Sequence, residues 1–112
     1  MGQIISIAYK LTADAGREGE LTLYTVQAAK KFKLTNIYVH FPAGTYFELQ
    51  LAVMKGIYQV APHSGVYVGD ANVITDKSNH VFNSGESVTL YYKNTNTTEA
   101  REAFILLTGE LE

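Results

Sequence analysis

Cysteine and tryptophan are both absent from this chain. Without cysteine there is no disulfide and no thiolate metal ligand, and thiol usage says nothing of the compartment. A strong excess of charge is missing too. Nine basic and eleven acidic residues leave a net charge of -2, too balanced for the basic face that grips a nucleic acid. Lys30, Lys31 and Lys33 form the one basic cluster and read as a solvated strand entrance. No apolar run approaches the roughly 20 residues of a membrane-spanning helix. The start, MGQIISIAYK, lacks a basic segment ahead of its apolar part and is not read as a signal peptide. It matches the Met-Gly-x-x-x-Ser acylation pattern, but the alternation that follows is that of a strand. Neither a nucleic acid nor a membrane is expected as a partner.

What remains is enough for one globular domain, residues 1–112. A chain of this length buries about two thirds of its unfolded surface and needs no covalent or metal staple. The dominant pattern has period two. Ile5, Ile7, Tyr9 and Leu11 alternate with Ser6, Ala8 and Lys10, as in a half-buried strand. Leu21 and Leu23 share a face in the next apolar stretch. Phe47, Leu49, Leu51 and Val53 alternate with Glu48, Gln50 and Ala52. In KFKLTNIYVHF the phase slips. Phe32 and Leu34 share one parity and Ile37, Val39 and Phe41 the other. One extra residue at Thr35–Asn36, a β-bulge, would keep all five on the core side.

Turns are expected at ADAGREG, PAG, PHSG, DKSN and SGE. About eight to ten short strands follow, with no amphipathic helix of useful length. Even spacing of short strands predicts an all-β, antiparallel two-sheet sandwich, with a jelly roll as the eight-strand form. An immunoglobulin-like sandwich is the runner-up, but its Cys…Trp…Cys markers are missing.

Candidate chemistry is sparse. His40, His63 and His80 lie far apart in sequence, without the close spacing of a zinc motif. A small cupin-like enzyme would need them to converge inside the sandwich. In PHSG, His63 and Ser64 are adjacent and point opposite ways on an extended chain, so they do not pair as base and nucleophile. No catalytic residue, cofactor site or metal site is assigned, and the expectation is a non-enzyme.

Tyrosine is abundant, at eight residues with five phenylalanines. It suits a pleated, half-buried surface, and exposed tyrosine also serves protein interfaces or stacks on sugars. The last two strands carry apolar residues on both faces. Tyr91 and Tyr92 put an aromatic on each side of one. Ala103, Ile105 and Leu107 oppose Phe104 and Leu106 on the other. Were these strands side by side, an apolar patch would face outward, as at interfaces. Tyr91, Tyr92, Phe104, Ile105, Leu106 and Leu107 are therefore the candidate oligomer interface. Asn94, Asn96, Thr97 and Thr98 form the candidate contact loop between these strands. Asn96–Thr98 is also a formal glycosylation sequon, though Asn and Thr here chiefly favour a turn.

In outline the stretches TVQAAKKFKLTNIYVHFPAGTYFELQL and FNSGESVTLYYKNTNTTEAREAFILLTGELE resemble small jelly-roll accessory and capsid-associated proteins of viruses and phages. The resemblance covers about two thirds of the chain and carries no catalytic signature. It implies a self-associating module, as in a trimer, of a particle surface. The expected setting is a virion or the cytoplasm, with capsid proteins or a carbohydrate as further partners.

Overall fold

The computed structural model describes residues 2–112. Met1, where the acylation pattern begins, lies outside the described residues. Eight strands follow one another: β1 (Gln3–Ala13), β2 (Glu18–Thr25), β3 (Phe32–Phe41), β4 (Leu49–Lys55), β5 (Tyr58–Ala61), β6 (Asn72–Phe82), β7 (Ser87–Asn94) and β8 (Arg101–Leu111). They form two four-stranded antiparallel sheets, β1-β8-β3-β6 and β2-β7-β4-β5.

The pairing explains the topology. β4 pairs β5, β3 pairs β6, β2 pairs β7 and β1 pairs β8. The chain is thus one long antiparallel ribbon whose tip is Gly56–Ile57. Gly56 takes φ +59° there, a conformation that costs glycine little. Rolling the ribbon brings β8 against β3 and β7 against β4, which completes a jelly roll. The sandwich expected from the sequence is therefore observed.

The core lies between the sheets. Phe32, Leu34, Ile37, Val39 and Phe41 of β3 are all buried, with Leu49, Leu51 and Val53 of β4 opposite. Each large apolar side chain taken from water contributes roughly 1.5–3 kcal/mol. The bulge expected in β3 is present, since its register against β8 shifts between Leu34 and Asn36. It keeps both halves of β3 facing inward. Thr35 Oγ1 donates to the Thr108 carbonyl there at 3.0 Å.

Two expectations are corrected, and one condition considered for the last two strands is not met. The turn at DKSN does not form. Asp76–Asn79 lie within β6, which runs unbroken for 11 residues. Asp76 points inward and accepts a hydrogen bond from Tyr67 Oη at 2.7 Å, so its polarity does not stop the strand. The strand expected to include Phe47 begins only at Leu49. Tyr46 and Phe47 take φ +52° and +57° and stand exposed in the β3–β4 loop. Finally, β7 and β8 are not neighbours. They belong to opposite sheets, because the ribbon crosses from one layer to the other between them.

Candidate functional site

The placement of β8 separates the candidate interface residues. Ile105 and Leu107 are buried in the core with Ala103, so they contribute packing and no outward surface. Phe104 and Leu106 have the opposite parity and point outward, 38% and 37% exposed. Tyr91 and Tyr92 lie on the other sheet. Tyr92 packs against the core and covers Gly19. Tyr91, on the outer side, donates its hydroxyl to Glu18 Oε2 at 2.6 Å. Partial burial, then the adjacent carboxylate, push its phenol up to about 12.

An outward apolar band lies on the sheet β1-β8-β3-β6, and it is built by registers. On the outer face of β1-β8-β3-β6, Ala8, Leu106, Tyr38 and Thr75 align across the strands. The next row is Lys10, Phe104, His40 and Val73. Toward the other end lies Ile4, Glu110, Lys33 and Val81. The His40 ring stacks on Phe104 with centroids 5.7 Å apart, and Lys10 Nζ lies 5.7 Å from the same ring. Tyr9, Tyr38, Phe104 and Leu106 border a shallow groove of about 360 Å³ here. Sequence reasoning missed Tyr38 and His40 as members of this band. The signal was present, since both have the outward parity of β3 beyond its bulge.

The candidate contact loop also divides. Asn94 is buried. Its Nδ2 donates to the carbonyls of Ala13, Asp14 and Glu99 at 3.1, 3.2 and 2.9 Å. Its Oδ1 accepts from Asn96 N at 3.0 Å. Asn94 therefore ties three segments together and is a fastener, not a contact residue. Asn96 caps the turn, accepting from Thr98 N and Glu99 N, both at 2.8 Å. It also donates to Glu48. Thr97 and Thr98 are exposed.

Beside them stands a residue set the sequence reading did not single out. Arg101 donates to Glu48 Oε1 at 3.0 Å and to Glu99 Oε2 at 3.2 Å. Hydrogen bonding to Glu48 holds its guanidinium above the usual range. Tyr46 lies under that guanidinium at 5.7 Å. The loop carrying Tyr46 and Phe47 is well tied. Asp70 Oδ1 accepts from Gly44 N at 2.8 Å and Thr45 N at 3.1 Å. Thr45 Oγ1 donates to the Pro42 carbonyl at 2.6 Å. Phe47 N donates to the Gly69 carbonyl at 3.1 Å. A rigid loop end thus presents two aromatics, 65% and 62% exposed.

The histidines do not converge. His40 is on the outer face. His63 and His80 border one small cleft of about 240 Å³ with Asp76. Among the described residues no three His, Asp or Glu side chains gather to hold a metal ion. His80 Nε2 is buried without a hydrogen-bond partner. Desolvation, then nearby Lys55, lower its pKa, against an opposing pull from Glu86.

No family model and no curated protein matches the chain. Solved structures do. A chain of Sulfolobus Turreted Icosahedral Virus superposes with TM-score 0.69 at 12% identity, covering 97% of this chain and 29% of that one. This protein thus spans under a third of that chain's length. A chain of the cyanophage Pam1 capsid asymmetric unit gives TM-score 0.61 at 10% identity, covering 97% and 85%. A chain of the acid-stable capsid of Helicobacter pylori bacteriophage KHP30 gives 0.57 at 13% identity, covering 98% and 93%. At these identities the likeness is one of fold, and at that level the resemblance to viral jelly-roll proteins holds.

Proposed function

We propose that this chain is a non-enzymatic structural module of a virus particle that acts by association with other copies or with capsid proteins. The observation that carries this reading is the apolar band of Tyr38, Phe104 and Leu106 on the outer face of β1-β8-β3-β6. A freely dissolved sandwich normally turns polar side chains outward there, and contiguous apolar patches mark contact surfaces. The fold shared with chains of virus capsids supports the setting. The genes flanking the coding sequence test it. Capsid, portal or packaging genes alongside are the expected result, and a metabolic operon would count against the virion.

A second reading, carbohydrate binding, draws on Tyr46 and Phe47, which project from a loop fixed by Asp70. Exposed aromatics on a rigid loop suit sugar stacking, with Asn96 and Glu48 nearby as polar groups. A glycan array probed with the purified chain decides it. Binding that disappears in Tyr46→Ser favours this reading, and an empty array leaves it without support.

A further inference from the structure

We infer that the outer face of β1-β8-β3-β6 is a two-fold contact with a second copy of this chain, in which β8 of one copy lies over β3 of the other. This rests on the assembly reading above and adds its geometry. The argument is self-complementarity. Consider a two-fold axis lying in the contact, parallel to the strands and midway between β8 and β3. It exchanges the two strands while keeping each cross-strand row opposite itself. Leu106 then faces Tyr38 of the second copy, and Phe104 faces its His40. At the far end Ile4 faces Val81, and Glu110 faces Lys33. Apolar or aromatic groups meet along the centre and at Ile4–Val81, and acid meets base at Glu110–Lys33, while the flanks set Ala8 over Thr75 and Lys10 over Val73.

Other placements match less well. Flipping the sheet end over end, about an axis across the strands through the Leu106–Tyr38 row, sets Phe104 over Thr108 and His40 over Asn36. It keeps Leu106 on Leu106 and Tyr38 on Tyr38, but it pairs Phe104 and His40 with polar groups and sets Glu102 over Glu110, two like charges. Aligned sheets pack at about 30°, which offsets the outer row. The long side chains of Lys33 and Glu110 span that offset.

The size is adequate for a weak dimer. Rows are about 6.7 Å apart and strands about 4.8 Å apart, so the face measures roughly 500 Å² per copy. Two such faces reach about 1,000 Å², the lower limit for a specific interface. The dimer should therefore depend on concentration in solution, with further particle contacts adding to it.

Light scattering of the purified chain over a wide concentration range tests this. The expected result is a mass that rises from monomer to dimer, with dissociation about thirtyfold or more easier in Leu106→Glu, as for a central contact residue. Lys33→Glu alone should weaken the dimer, and Lys33→Glu combined with Glu110→Lys should restore it. Melting curves accompany each variant. Should Leu106→Glu fail to fold, the Lys33 and Glu110 exchange carries the test. An oligomer of any mass that ignores both sets of changes, or a trimer, overturns the two-fold contact and leaves the assembly reading standing. A strict monomer at the highest concentration overturns the two-fold contact and any other self-association, and of the assembly reading it leaves only association with capsid proteins.

Discussion

Asn94, at the end of β7, donates its side-chain amide to the carbonyl of Ala13, 81 residues away, at 3.1 Å. The same nitrogen reaches Asp14 and Glu99. One buried amide thus fastens the end of β1 to the β7–β8 connection, across the gap between the sheets.

Replacing it strands several acceptors at once. Leaving a buried polar group unpaired costs about 1–3 kcal/mol. Asn94→Ala should therefore lower stability by about 3 kcal/mol in urea unfolding. Asn96→Ala, whose bonds lie nearer the surface, should cost less. Equal effects would show that burial of Asn94 is not what matters.

This residue also shows how far the sequence can be read. The Asn/Thr composition correctly marks a connection between strands, but it cannot tell a buried fastener from an exposed contact. That distinction depends on the β1 end arriving beside β7, a long-range event. The bulge in β3 was legible because a parity slip between Leu34 and Ile37 is a local signal. The DKSN misreading is the reverse case. Those residues favour turns locally, yet Tyr67 and the backbone satisfy Asp76 within the strand. The outward apolar residues were half legible for a related reason. Parity separates Phe104 and Leu106 from Ile105 and Leu107. Which set faces water follows only once β8 is placed between β1 and β3. Sequence adjacency left open a side-by-side placement of β7 and β8 that the rolled ribbon does not make.

A glycine in β8 gives a packing prediction. A methyl group at Gly109 would press into the Phe32 ring and come within 2.5 Å of the Lys33 carbonyl oxygen. Both neighbours sit beside the β3 bulge and have little freedom. Gly109→Ala should cost about 2–3 kcal/mol by overpacking. At Gly19 the nearest atom is the Tyr92 hydroxyl oxygen at 3.0 Å, the far end of a side chain that can shift. Gly19→Ala should be milder. Thermal melting of the two variants compares them directly, and a harmless Gly109→Ala would contradict the packing described.

His80 gives a pH prediction. Its folded pKa is lowered from the ordinary histidine value, so the folded state favours the neutral ring. The associated stability is present above about pH 6.5, the unfolded value. It is lost as pH falls from there toward the folded pKa, because the unfolded chain takes up the proton first. Unfolding measured from pH 7.5 down to about 5.5 should show a decline that His80→Gln reduces. A variant with the same decline as the parent would place the cause elsewhere.

The loop end offers a test in which a large deletion should do no harm. Phe47 holds φ +57°, a region where a side chain meets the backbone at a cost of roughly 1–2 kcal/mol. Its ring is largely exposed and returns little burial. Glycine relieves the backbone cost but gives back roughly 0.5–1 kcal/mol through a freer unfolded chain. Phe47→Gly should therefore leave stability unchanged or raise it by up to about 1 kcal/mol, read as a denaturation midpoint. Tyr46→Gly is less favourable, because it also removes the ring beneath the Arg101 guanidinium. A stable Phe47→Gly protein that loses binding to a glycan or to a capsid partner would assign the exposed ring to that contact. A destabilised one would show that Phe47 serves the fold, and that its left-handed backbone is supported by packing not evident from its exposure.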